Sequence, residues 1–371
     1  MSEHTILETT MSGPSSAIID HLLGELWERG GSDLLLTAGS AAFLRVDGAL
    51  RPVEGAALSE PEVDRLVTGV LGEELTARFR AEKQVDFAFS WGEKARLRGN
   101  AFVQRGTSAL ALRIIPFDVP SSEQLGLPAV AVGWAGLPRG FVLVTGPTGS
   151  GKSTTLAALL DHVNRHRSVH ILTIEDPIEY LHRHKRAAVN QREVGADTAS
   201  FPAALRAALR EDPDVLLLGE MRDPESISAA LTIAETGHLV FATLHTNDTS
   251  QTLDRIVDVF PAEQQPQIRL QLAHTLVGIL NQTLIPRIGG GRAPAFEVLV
   301  GTSAVRNLIR EGKTRQLRNM IATGHGEGMQ TLESGINALV AAGTIAYEEA
   351  VLHTAHPQDI RRPHAPLGRG L

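Results

Sequence analysis

The stretch Gly146-Pro147-Thr148-Gly149-Ser150-Gly151-Lys152-Ser153 constrains this chain more than any other. It fits G-x-x-x-x-G-K-[ST], in which glycines let a loop close tightly and turn its backbone N–H groups onto phosphate oxygens. Its flanks suit that loop. Phe141-Val142-Leu143-Val144 before it is a short apolar run of the kind that makes a buried parallel strand. After it, Lys152 to His166 carries Leu156, Leu159, Leu160 and Val163 at helical spacing. Strand, loop and helix in that order bring a helix N-terminus against an anion. The expected ligand is a nucleotide, its phosphates held by Gly146, Pro147, Thr148, Gly149, Ser150, Gly151, Lys152, Ser153 and Thr154. Lys152 would reach the β- and γ-phosphates, and Ser153 would offer its hydroxyl to Mg²⁺.

Length and charge bound the rest. A chain of 371 residues is long enough for two domains with their own cores. A net charge of −7 argues against a protein whose main partner is nucleic acid, since such domains usually carry a basic surplus. There is no cysteine, which excludes disulfides and thiolate zinc sites. No apolar run reaches the roughly 18 residues that span a bilayer, and the N-terminus is polar and acidic, unlike a secretory signal. A cytosolic protein without membrane insertion is expected.

Two patterns divide the chain. Residues 1–15 read as a loose tail. From 16 to 115, a helix over Ala17 to Arg29 is followed by strands at 33–37, 42–46 and 49–53, the last two joined by an Asp47-Gly48 turn. Ser59-x-x-Glu62 caps a helix to Leu71, a second covers 73–82, and strands follow at 84–90, 95–105 and 108–115. This is a small α+β domain. Residues 116–123, with two prolines, read as a linker. From 124 to 355 strands (141–145, 170–174, 214–218, 239–243) alternate with helices (152–167, 200–211, 224–236), which points to α/β with a parallel sheet. After His245 the chain reads as mostly helical apart from 280–286 and 293–300, and residues 356–371 read as a second tail.

Several residues fall at strand ends, where ligands of parallel sheets bind. Glu175 and Asp176 close a strand expected to lie beside the one feeding the loop. They could hold Mg²⁺ through water, position an attacking water, or form a solvated turn before Pro177. Val215-Leu216-Leu217-Leu218-Gly219-Glu220 ends in an acid at the position where P-loop NTPases hold their metal-linked Asp, here replaced by Gly219. Glu220 is then the candidate to orient or deprotonate water. Arg222 could neutralise phosphate charge or pair with Asp223. His245 closes the next strand where a ligand sensor belongs, and His238 opens it in some other role. Arg96, Arg98, Arg105 and Arg113 lie on two successive strands of the first domain. They form a solvated face or supply phosphoryl-stabilising groups, in cis or from another subunit.

Taken together, GPTGSGKSTTLAA, TIEDPIEY, REDPDVLLLGEMRD and TGHLVFATLHT resemble, in order, the Walker A, Asp, Walker B and His boxes of the type II/IV secretion ATPase superfamily. Thr252 to Pro261, Ala304 to Glu311 and the early piece from Ser32 to Gly48 are similar to its PilT branch, the type IV pilus retraction ATPases. The resemblance covers residues 17–350. It implies a PAS-like N-terminal domain joined to a RecA-like motor domain, assembled as a homo-hexamer. The nucleotide would lie between the domains, with Arg98 and Arg113 completing the site and Lys152, Glu175, Glu220, Arg222 and His245 catalytic. The implied partner is the inner-membrane platform of the pilus machine, met from the cytoplasmic side. One departure is Gly99, where relatives carry a larger residue before the Asn. Extension and type II secretion ATPases share the four boxes but carry a longer N-terminal region and a four-cysteine zinc insert, which this chain lacks. A retraction-accessory paralogue, a non-hydrolysing regulatory subunit and a DNA translocase are the other readings.

Overall fold

A computed structural model describes residues 7–8, 14–46, 48–221 and 223–362. The chain forms two compact units. One comprises residues 1–118 with 179–181 and 195–197, and the other the remainder.

The first unit is a seven-stranded sheet backed by helices. Its elements are β1 (Leu7–Glu8), α1 (Pro14–Glu28), β2 (Asp33–Thr37), β3 (Phe43–Val46), β4 (Ala49–Pro52), α2 (Glu60–Glu82), β5 (Gln84–Trp91), β6 (Ala95–Gln104) and β7 (Thr107–Pro116). The spatial order is β1-β5-β6-β7-β2-β3-β4. Leu7 and Glu8, expected in a loose tail, pair in parallel with Phe87 and Ala88, and α1 starts three residues early. Asp47, of the expected turn, lies outside the described residues. The two helices expected, one to Leu71 and one from Glu73, meet within α2 at Gly72, whose φ of 70° breaks the helical backbone between them. Glu62 accepts the Ser59 backbone N–H at 2.8 Å, as the capping pattern requires.

Period-two alternation explains this sheet. Leu34, Leu36, Leu44, Leu97, Ala101, Leu110 and Leu112 face inward against Ile19, Leu23 and Leu26 of α1 and Val63, Leu66, Val67 and Phe79 of α2. The outer face keeps the polar residues. At Gly99 an added Cβ would lie 2.2 Å from the tip of the Phe87 ring. The ring covers the glycine, and β6 runs through it unbroken.

The second unit is an α/β sandwich of RecA-like type. It contains α3 (Ala129–Trp134), β8 (Gly140–Thr145), α4 (Lys152–His166), β9 (His170–Glu175), β10 (Ala188–Glu193), α5 (Phe201–Ala208), β11 (Val215–Leu218), α6 (Pro224–Glu235), β12 (Leu239–Leu244), α7 (Thr249–Asp258) and α8 (Gln265–Thr275). Then follow β13 (Leu276–Pro286), β14 (Arg292–Val300), α9 (Ser303–Arg310), α10 (Leu317–Thr323), α11 (Leu332–Ala341) and α12 (Tyr347–Leu352). The sheet order is β10-β9-β11-β12-β8-β13-β14, parallel except for the β13–β14 hairpin.

Both faces are covered at the centre of this sheet, so β8, β11 and β12 are buried along their whole length. Phe141, Leu143, Leu172, Ile174, Leu216, Leu218, Val240 and Ala242 pack on one side. Their neighbours Val142, Val144, Ile171, Val215, Leu217, Leu239 and Phe241 pack on the other. Three expectations are corrected here. The strand ending in Glu175 is not beside β8, because β11 and β12 lie between them. A strand at Ala188–Glu193 was not foreseen, since its half-exposed polar residues lack an apolar run. Residues 356–362 are not wholly a tail: Ile360 is buried in a small core with Ile336 and Val340, and Asn337 bonds to both Asp359 and Arg361.

Candidate functional site

The carboxyl ends of the parallel strands gather the site. Gly146 follows β8 with φ 142°, and a Cβ there would lie 2.3 Å from the Gln282 carbonyl oxygen and 2.6 Å from Ser150 Oγ. Only glycine fits so close an approach. The loop then feeds directly into α4, whose first N–H groups have no intrahelical partner and are ready for an anion. Ser150 Oγ is buried, with no hydrogen-bond partner among the described residues. A buried hydroxyl left unpaired is costly, and an acceptor oxygen in the loop would satisfy it. The residues present therefore suit a phosphate group.

Lys152 sits inside this curl. Its Nζ donates to the carbonyls of Gly146 (2.9 Å) and Pro147 (3.0 Å) and lies 3.3 Å from His245 Nδ1. Burial holds its pKa below the usual lysine value, and the Glu220 carboxylate opposes that shift. The other ring nitrogen of His245, Nε2, is 3.3 Å from Glu220 Oε2. An ammonium can only donate, so Nδ1 is the acceptor toward Lys152 and Nε2 is the nitrogen that can donate to Glu220. Lys152, His245 and Glu220 thus form one polar line across the ends of β8, β12 and β11. Thr148 Oγ1 lies 3.5 Å from the same Nδ1. His238, at the opposite end of β12, has a different task. Its Nδ1 is 3.0 Å from the Ile233 carbonyl and closes the end of α6.

Gly219 explains the missing strand-end Asp. Its N–H donates to Ile174 O, and a Cβ would stand 3.2 Å from Glu175 Cα. The ends of β9 and β11 are too close there for a larger residue without displacement. Glu175 is buried, accepting from Thr173 Oγ1 (2.6 Å) and Gln191 Nε2 (3.2 Å). Asp176 and Ser153 are exposed, and Thr154 is half-buried. Arg222 lies outside the described residues. Asp223, its proposed partner, caps α6 by accepting from the Ser226 backbone N–H and hydroxyl.

In the first unit, strand register lines up Arg98, Arg113, Asp33 and Arg45 across β6, β7, β2 and β3. Directly paired residues share a face, and two guanidinium groups meet one carboxylate: Asp33 contacts Arg113 at 2.8 Å and Arg45 at 3.5 Å. Arg113 Nε donates to Asp33 at 2.8 Å, and that carboxylate holds the Arg113 pKa above its ordinary value.

Asn281 and Gln282 on β13 belong to the site but carry no motif. Asn281 Nδ2 donates to Thr145 Oγ1 (3.0 Å) and to Thr246 O (3.1 Å), joining the base of the loop to the segment after His245. Gln282 touches the loop itself. Arg292 Nη1 lies 3.3 Å from Gly149 O at the loop's tip. The polar pair within the otherwise apolar run Leu276 to Leu284 was the available signal.

Comparison with known proteins fits this geometry. Residues 134–290 match the family described as type II/IV secretion system protein. The type IV pilus retraction ATPase PilT of Pseudomonas aeruginosa is 49% identical over 332 residues, covering 90% of this chain and 96% of that protein. The chain belongs to the type II/IV secretion system protein family. Within this family its resemblance to the PilT branch is borne out. The type IV pilus ATPase PilU of the same organism is 40% identical over 92% of this chain and 90% of its own length. A crystal structure of the pilus retraction motor PilT with bound ADP superposes with TM-score 0.83 at 45% identity, covering 92% of this chain and 98% of that one. The two-part α/β architecture of the secretion family is thus the one present here.

Proposed function

We propose that this protein is an ATP-hydrolysing motor that powers type IV pilus retraction. The observation that carries the reading is the line from Lys152 through His245 to Glu220 beside a phosphate-shaped loop. Gly146 through Thr154 bind the phosphates, and Lys152 exchanges its loop carbonyls for phosphate oxygens. Glu220 orients the attacking water, with His245 holding the carboxylate in place. Ser153 would hold Mg²⁺ directly and Glu175 and Asp176 through water, where the ion would neutralise phosphate charge. We assign Arg98 and Arg113 to the phosphoryl charge of the nucleotide, in cis or from a neighbouring subunit. Arg222 is assigned to the same charge from its own chain.

Hydrolysis in a closed head-to-tail homo-hexamer would drive domain movements that work on a central partner. The proposed partner is the inner-membrane platform of the pilus machine, approached from the cytoplasm. Among the described residues no helix is long and apolar enough to cross a membrane. The 49% identity to a pilus retraction ATPase supports this choice over the assembly and secretion ATPases. Two measurements test it. Purified protein should release phosphate from MgATP, and a deletion strain should become hyperpiliated and lose twitching. Loss of pili in that strain would instead indicate assembly, and no phosphate release would remove the motor reading.

A further inference from the structure

We infer that Gln282 is a positioning residue that sets the phosphate loop in its binding-competent shape, an inference that rests on the nucleotide-binding reading above. Gln282 is 3% exposed and lies on β13, one residue beyond the Asn281–Thr145 register pair, so it reaches past the end of β8 beneath the loop. Its Nε2 donates to Ser150 O at 2.7 Å. Its Oε1 accepts from Thr155 Oγ1, in the first turn of α4, at 2.6 Å. One side-chain amide therefore ties the loop's carbonyl to the helix that follows it.

The direction of the Ser150 carbonyl matters because each peptide unit is planar. Fixing that carbonyl against Gln282 turns the N–H of Gly151, on the same peptide, to the opposite side. The backbone and side chain of Gln282 add a steric wall. A Cβ on Gly146 would lie 2.3 Å from its carbonyl oxygen, and one on Gly151 would lie 2.8 Å from its Nε2. The loop is closed at both ends against this one residue. Without the amide, Ser150 O and Thr155 Oγ1 lose their partners, and the loop's N–H groups must be ordered when phosphate arrives rather than beforehand. The effect should fall on phosphate affinity and leave the chemistry at Glu220 untouched.

The test uses the full chain. Gln282→Leu keeps the volume and removes both bonds, whereas Gln282→Glu keeps the acceptor for Thr155 but cannot donate to Ser150. In both, the Kd for ADP and the inhibition constant of inorganic pyrophosphate should rise about tenfold, roughly 1.4 kcal/mol. The KM for ATP should rise in parallel while kcat stays within about twofold. Thr155→Val should show a smaller rise, and it decides the matter together with Gln282→Glu if the leucine variant does not fold. A variant whose ADP and pyrophosphate affinities equal wild type while kcat or Tm falls would overturn the inference, because a merely structural residue would behave in that way. A wild type that binds ADP but does not hydrolyse ATP would sink the motor reading alone. A wild type that binds neither ADP nor pyrophosphate would sink both.

Discussion

Replacing His245 with alanine removes one ring and with it both 3.3 Å contacts joining Lys152 to Glu220. The fold should lose little, because the imidazole is 48% exposed and such hydrogen bonds contribute about 1 kcal/mol or less. In a domain of this size that lowers Tm by roughly 2–4 °C. Lys152 keeps its bonds to the Gly146 and Pro147 carbonyls, so the Kd for ADP should stay within about twofold of wild type. Catalysis should suffer more. The Glu220 side chain is 11% exposed and loses the Nε2–H donor that orients it. Positioned acid–base groups contribute roughly 10²–10⁴-fold, and a residue acting through another belongs at the lower end. A fall in kcat of about a hundredfold, near 2.7 kcal/mol, is expected. Steady-state phosphate release over a range of ATP concentrations, with thermal melting alongside, reads both quantities. His238→Ala is the contrast: it loses the bond to Ile233 O, so Tm should drop while kcat holds. A His245→Ala enzyme with kcat within about threefold of wild type would refute the role given to this ring.

Two further outcomes follow from packing and burial. Gly219→Asp would restore the more usual acid at this strand end, yet its Cβ would press to 3.2 Å from Glu175 Cα. It should cost about 1–3 kcal/mol and gain no activity, which melting and phosphate release would check. Burial holds the His182 imidazole at about 4, against 6.5 when exposed. Between those values the unfolded chain binds a proton that the folded chain refuses, so this stability is whole above about pH 6.5 and lost as pH falls toward 4. His182→Gln should remove about 2 kcal/mol of the acid sensitivity over this range, read as a smaller difference in Tm between pH 7.5 and pH 5.

Much of the site was legible because it is local. The loop, its strand and its helix are contiguous, and Glu220 and His245 each end an apolar run whose length marks where a buried strand must stop. The order of strands was not legible. Each parallel strand is a short apolar run with both faces buried, and nothing within β9 says that β11 and β12 separate it from β8. Glu175 was for that reason set beside the loop's strand when it lies three places away. Gln282 escaped notice for a related reason. Its partners, Ser150 and Thr155, are more than 120 residues distant, so the adjacent amides Asn281 and Gln282 marked the strand without saying what they bond to. The arginine row was half visible. Alternation put Arg96 and Arg98 on one face, but only register sets Arg98 opposite Arg113 and Arg113 opposite Asp33. Ile360 lacked any periodic neighbours, so the short core it completes read as tail.

The central claim is that Glu220 manages the water at a site whose phosphate grip is supplied by other residues. Glu220→Gln tests it most directly, measured as phosphate release and ADP binding on the same preparation. Glutamine keeps the shape and a hydrogen-bonding oxygen for His245 Nε2 but cannot accept a proton from water. The account predicts turnover reduced by at least about a hundredfold with the Kd for ADP within about twofold of wild type. Turnover equal to wild type would contradict it.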